Sequence, residues 1–155
     1  MKPRIAREPS ALPDGRGKRV ALVSARFYPL LGDWLEEGAR RALTDCGVAP
    51  QHIGLARVMG CFELPLAARR LIDRGHYDAI VALGAVIQGE TPHFDFVAGE
   101  CARGIMEVQL ATGIPIGFGV LTTDTFQQAE ERADPARGDK GYAAALAALT
   151  VLAVG

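Results

Sequence analysis

Residues 84–104 read GAVIQGETPHFDFVAGECARG. The apolar run Ala79-Ile80-Val81-Ala82-Leu83 leads into them and continues through Ile87, as a strand buried on both faces would. A polar loop follows, Gln88-Gly89-Glu90-Thr91-Pro92-His93. Beyond it Phe94, Val97, Cys101, Ile105 and Val108 recur at three- and four-residue spacings, which predicts a helix. Strand, polar loop and helix in that order bring backbone N–H groups and a positive dipole end to the mouth of a parallel sheet. Anionic ligands bind at such a place. His93 is the one histidine predicted there, whereas His52 and His76 fall at element boundaries.

The flanking sequence repeats the pattern. Upstream, Arg19-Val20-Ala21-Leu22-Val23-Ser24-Ala25 is a predicted core strand with the exit loop Arg26-Phe27-Tyr28. A helix opens near Pro29, where a missing N–H costs little. Leu31, Trp34, Leu35, Gly38, Ala42, Leu43 and Cys46 lie along one side of it, and Gly47 supplies its left-handed stop. A second strand is predicted over residues 53–59, with Gly60-Cys61-Phe62-Glu63 as its exit. The next helix opens near Pro65, turns Ala68, Leu71 and Ile72 inward and stops at Gly75. Downstream, Gly113 ends the central helix and residues 115–121 form a fourth strand. Asp124 with Gln127 is expected to cap a short helix. Asp134-Pro135 breaks it, and a last Ala- and Leu-rich helix opens at residues 138–141. Alternating strands and helices predict an α/β fold, a parallel sheet with helices on both faces.

Length and charge narrow the function classes. A chain of 155 residues is one domain able to bury a full core, and residues 18–155 are assigned to it. Residues 1–17 are basic, with Pro and Gly but no apolar h-region, and read as a flexible tail rather than a secretory signal. The net charge is −1 and no basic cluster stands out, so no nucleic-acid partner is expected. No apolar run reaches the length of a membrane span, so a soluble chain is expected. Cys46, Cys61 and Cys101 are odd in number and lack CxxC spacing. They read as reduced packing thiols of a cytoplasmic protein, with no metal site. Walker and GxGxxG patterns are missing. Ser24-Ala25-Arg26 offers neither the acidic residues of a phosphoacceptor module nor an FMN phosphate loop.

Ligands of such folds bind beyond the carboxyl ends of the strands. The exit loops there hold Phe27-Tyr28, Cys61-Phe62-Glu63, residues 88–93 and Thr122-Thr123. Aromatic faces, a carboxylate, an imidazole, hydroxyls and a helix N-terminus suit a flat heteroaromatic ring together with an anion.

In this order and at this spacing, MGCFELPLAA (59–68), GAVIQGETPHFDFVAGECARGI (84–105), PIGFGVLTTDT (115–125) and DKGYAAALAAL (139–149) closely resemble the lumazine synthase family. The resemblance spans residues 19–152. It implies a flavodoxin-like three-layer αβα sandwich with a four-stranded parallel core sheet. It implies a transferase that condenses 5-amino-6-(ribitylamino)uracil with 3,4-dihydroxy-2-butanone 4-phosphate in riboflavin biosynthesis, without metal or organic cofactor. It further implies a homopentamer or a multiple of it, sites shared between neighbouring subunits, and riboflavin synthase as a further partner.

Position by position, the resemblance implies that Phe27 stacks on the uracil ring. Cys61, Phe62 and Glu63 form a wall for the ring and ribityl chain, and Ala85, Val86 and Ile87 line the pocket. Gly89, Glu90 and Thr91 cradle the phosphate, and His93 transfers protons. Phe118 and Arg132 come from the neighbouring subunit, with Lys140 as a further ribityl or phosphate contact. Three places depart from the usual family residues: Tyr28 for Asn, Gln88 for Arg or Lys, and Asp134-Pro135-Ala136-Arg137 for Gly-Thr-Lys-Ala. Arg137 is the residue placed to restore the lost lysine charge. These departures motivate a rival reading, a relative that binds flavins or lumazines with little turnover.

Overall fold

Four parallel strands run through the centre of the chain, seen in a computed structural model that describes residues 11–155. They are β1 (Val20–Ala25), β2 (Ile53–Val58), β3 (Ala79–Ile87) and β4 (Ile116–Thr123), in the spatial order β2-β1-β3-β4. β1 is buried at every residue and β3 at all but Ile87, as an inner strand covered on both faces must be. β2 lies at an edge and is only half covered.

Side chains alternate across the sheet with the two-residue period of a strand. Val20, Leu22, Val81 and Leu83 enter one apolar layer with α1 (Pro29–Asp45), α4 (Phe126–Ala133) and α5 (Lys140–Leu152). Ala21, Val23, Ile80 and Ala82 enter the other, with α2 (Leu64–Asp73) and α3 (His93–Thr112). The result is a three-layer, flavodoxin-like α/β sandwich. The predicted stripe of α3 faces the second layer: Cys101 and Ile105 are buried, and Phe94, Val97 and Val108 pack against them.

Helix ends follow local chemistry. Pro29 takes the first position of α1, and Gly47 and Gly113 adopt left-handed φ angles of 92° and 73° just past α1 and α3. The cap of α4 differs from expectation by one residue. Thr125, not Asp124, is the N-cap, and its Oγ1 accepts from the Gln128 N–H at 3.1 Å. Gln128 Oε1 in turn accepts from the Thr125 N–H at 3.3 Å and the Asp124 N–H at 2.9 Å. β4 runs on through Thr123, and this moves the helix start along.

The expectation of a flexible tail falls, for residues 1–10, outside the described residues. Within the remainder Gly15 is buried, and its N–H donates to the Cys46 carbonyl at 2.7 Å.

From β1 the chain passes to β2 on one side and later to β3 on the other. The strand order therefore reverses between β1 and β3, and a crevice opens beyond their carboxyl ends.

Candidate active site

Three exit loops meet at that crevice and enclose a cavity of about 590 Å³. The β1 exit contributes Phe27 and Tyr28. The β2 exit contributes Met59, Gly60, Cys61, Phe62 and Glu63. β3 and its exit contribute Ala85, Val86, Ile87, Gly89 and Thr91, and α3 adds His93, Phe94, Phe96 and Val97.

Exposure marks the walls. Phe27 is 70% and Phe62 61% exposed, too much for plugs of the core. The Phe27 and Tyr28 rings pack T-shaped at 4.9 Å between centroids, and Tyr28 leans in turn on Phe126 at 5.8 Å. The exposed Phe27 ring is thus open to a ligand ring.

Cys61 forms the floor. Its Sγ lies over Gly84 of β3, where a Cβ would come within 2.6 Å of the sulfur. The neighbouring Cys101 thiol, then burial, push the Cys61 thiol well above the usual thiol range. Cys61 therefore stays protonated and packs rather than attacks. Next to it, Glu63 Oε2 accepts from the Gly60 N–H at 3.1 Å and closes the short 3₁₀ turn Cys61–Glu63.

The β3 exit is anchored at one end by the Gln88 N–H, which donates to the Thr123 carbonyl at 2.8 Å. At the other end Thr91 Oγ1 accepts from the His93 N–H at 3.4 Å. Pro92, the N-cap of α3, offers no side-chain acceptor, so the start of this twenty-residue helix presents its dipole to the cavity. His93 is exposed there.

Not every expected residue gathers at this cavity. Glu90 flanks it without lining it. Phe118, Arg132 and Lys140 line a separate hollow of about 360 Å³ between β4 and α5. Thr122 lines that second hollow too, while the Thr123 hydroxyl turns inward and donates to the Thr125 carbonyl at 2.9 Å. Thr122 and Thr123, expected as a fourth exit loop, thus belong to β4 and do not line the first cavity. Arg132 Nη1 donates to the Gln128 carbonyl at 3.0 Å, and no carboxylate pairs with Arg132 or Lys140 among the described residues. Arg137 is engaged with Asp134 at 2.9 Å and does not line the hollow.

Sequence reasoning missed Met59, Gly60, Phe94, Phe96 and Val97 as lining residues. Met59 and Phe96 are 83% and 68% exposed. Large apolar side chains just past a strand end and inside a first helical turn, off the buried stripe, were the available signal. Among the described residues no three His, Cys, Asp or Glu side chains gather as metal ligands would, and no helix is long and apolar enough to cross a membrane.

Comparison with known proteins bears directly on this arrangement. The family model described as 6,7-dimethyl-8-ribityllumazine synthase matches residues 17–154. A 6,7-dimethyl-8-ribityllumazine synthase from Gemmatimonas aurantiaca is 51% identical over 143 residues, covering 92% of this chain and 87% of the relative. One from Desulfatibacillum aliphaticivorans is 47% identical over 136 residues, covering 88% of each. With nearly the whole fold and all of the cavity-forming loops inside the matched region, the chain belongs to the 6,7-dimethyl-8-ribityllumazine synthase family.

Proposed function

We propose that this chain joins 5-amino-6-(ribitylamino)uracil to 3,4-dihydroxy-2-butanone 4-phosphate, forming 6,7-dimethyl-8-ribityllumazine for riboflavin biosynthesis and releasing phosphate and water. One observation carries the reading. The cavity sets the exposed rings of Phe27 and Phe62 opposite a loop and helix start that suit an anion, in a chain matched to the family over residues 17–154.

The chemistry divides between the walls. The uracil ring stacks on Phe27, and Glu63 accepts hydroxyl hydrogen bonds from the ribityl chain. The ring amine condenses with the ketone and loses water, elimination of phosphate leaves an enol that tautomerises to a new carbonyl, and the ribityl-bearing amine closes on that carbonyl with loss of a second water. Each step moves a proton, and His93 at the cavity rim gives and takes it. Departing phosphate is favoured by the N-terminus of α3 and by a cation. Holding both reactants in one cavity supplies much of the remaining acceleration.

The cation comes from a neighbouring copy. Arg132 and Lys140 sit in a hollow of their own, beside a Phe118 that is 46% exposed. Seating that hollow against the first cavity of the next subunit completes the site. An assembly is also favoured by the outer side of α3, where Met106 and Leu110 are 54% and 79% exposed. The assembly is a homopentamer or a multiple of it. Three free cysteines accord with a cytoplasmic setting.

The test is turnover of the purified protein with both substrates, following formation of the lumazine, together with sedimentation. Turnover from an oligomer is expected. A stable monomer, or a folded oligomer without turnover, overturns the reading.

A further inference from the structure

Glu36 is a charged residue in a place that its helix reserves for apolar side chains. It lies on the inner side of α1 among Leu31, Leu35, Ala39 and Leu43, with its side chain 7% exposed. A buried carboxylate is costly unless it is paired and hydrogen-bonded. Two arginines pair with it. Arg26 Nη1 reaches Glu36 Oε2 at 2.5 Å, and Arg57 Nη2 reaches Oε1 at 2.8 Å. Arg26 Nη2 also holds Asp33 at 2.7 Å, so two cations and two anions balance. Gly32 makes room for this arrangement, because a Cβ there would stand 2.7 Å from Arg26 Nη1.

The two arginines belong to the exits of different strands. Arg26 follows β1 and immediately precedes Phe27. Arg57 lies in β2, two residues before Met59. The backbone ties the same two segments, since the Arg26 N–H donates to the Val58 carbonyl at 2.9 Å. Phe27 and Met59 are highly exposed and both line the cavity. Side chains with so few neighbours are placed by their backbone, and the backbone here is held by the end of the β1–β2 ladder and, through two arginines, by one carboxylate.

We propose that Glu36 is a positioning residue for the ring substrate. By clamping Arg26 and Arg57 together it sets the gap between the Phe27 wall and the wall formed by Met59, Phe62 and Glu63. The proposal rests on the reading that these walls hold the pyrimidine ring. Without Glu36, two guanidinium groups repel at the root of both loops, and the gap is no longer fixed. The anion end of the site, at the β3 exit, is untouched.

The test measures KM for 5-amino-6-(ribitylamino)uracil and for the phosphorylated butanone in Glu36→Gln, Glu36→Leu and the double variant Glu36→Leu with Arg57→Leu. Glu36→Leu is expected to raise the KM for the ring substrate about tenfold, as a small misplacement of a binding wall does. The KM for the phosphorylated substrate stays near the wild-type value, and Glu36→Gln, which keeps one acceptor oxygen, falls between. The double variant removes the half-exposed guanidinium that Glu36→Leu leaves unpaired and recovers part of the melting temperature, while its ring-substrate KM stays raised. If ring-substrate KM recovers together with the melting temperature, or never changes, Glu36 serves stability alone and the proposal is overturned. Phe27→Ala, measured alongside, separates the two levels. A raised ring-substrate KM in Phe27→Ala with none in the Glu36 variants overturns the positioning role only. No change in Phe27→Ala overturns the ring-site reading and the proposal with it.

Discussion

Glu63 Oε2 sits 3.1 Å from the Gly60 nitrogen and accepts its N–H, so the carboxylate that faces the cavity also closes the turn that carries Cys61 and Phe62. The two duties are separable. Glu63→Gln keeps an acceptor oxygen for Gly60 but loses the negative charge, whereas Glu63→Ala loses both. Glu63→Gln is expected to unfold within a few tenths of a kcal/mol of wild type and to weaken use of the ring substrate. Glu63→Ala adds a stability loss of about 1 kcal/mol, the usual worth of a lost cap. Urea unfolding beside steady-state kinetics checks both. Equal stability in the two variants would mean that the Gly60 contact contributes nothing.

Gly84 keeps the floor of the cavity flat. A Cβ at this position would meet Cys61 Sγ at 2.6 Å and Ala25 Cβ at 2.9 Å. Overpacking of this kind costs about 1–3 kcal/mol, so Gly84→Ala is expected to lower stability by that amount and to push out the turn bearing Phe62. Adding Cys61→Ala removes the sulfur and recovers part of the loss, leaving the share that Ala25 imposes. A double variant no better than Gly84→Ala alone would show that the strain lies elsewhere.

Much of this architecture is legible in the sequence because it is local. The unbroken apolar run of β3 and the three- and four-residue spacing of α3 follow from which faces are covered, and Gly47 and Gly113 mark stops by their left-handed backbones. The slip from Asp124 to Thr125 has a local cause too, since both residues can cap and only the end of β4 decides between them. Glu36 is different. Read along the chain it is one of two adjacent glutamates on an amphipathic helix, and nothing nearby says that it turns inward. Its partners stand 10 and 21 residues away, on other elements. The separation of Arg132 from His93 is expected from the family resemblance, which assigns Arg132 to a neighbouring subunit, but no local spacing or periodicity in the chain shows it.

Alkaline stability has a specific handle in Tyr142. Burial first, and then its hydrogen bond to Asp45 at 2.8 Å, push the phenol up to about 12. The unfolded chain releases this proton near about 10. Between those values the folded state holds a proton that the unfolded state has lost, so stability falls as pH rises. The contribution is complete below the lower value and gone above the upper one. Tyr142→Phe is expected to flatten the fall of the urea midpoint across that window relative to wild type. Parallel curves for the two proteins would mean that another group governs the alkaline limb.

Arg132 is the cation expected to hold phosphate. With no carboxylate partner among the described residues, its removal breaks no ion pair and leaves the fold intact. Charge-assisted hydrogen bonds to a guanidinium are worth about 1.5–3 kcal/mol each. Arg132→Ala is therefore expected to raise KM for the phosphorylated butanone about 10- to 100-fold, with KM for the ring substrate nearly unchanged. Equal losses for the two substrates would place Arg132 in assembly rather than in anion binding.

His93 and Arg132 together test whether sites are shared between copies. His93→Ala is expected to lower turnover about 10- to 100-fold by removing the proton carrier, and a loss beyond about 10⁴-fold would give His93 a larger role than proton transfer. Each single variant spoils every site when it assembles alone. Co-expressed in equal amounts, the two chains assemble at random. A site built from the His93 side of one copy and the Arg132 side of the next is then intact about one time in four. Activity of the mixture at low phosphorylated substrate should therefore approach a quarter of wild type, well above either variant alone. If both residues served a site within one chain, every chain in the mixture would carry a defective site and no recovery would be seen. The open hollow that holds Arg132, apart from the cavity that holds His93, is the structural reason to expect recovery.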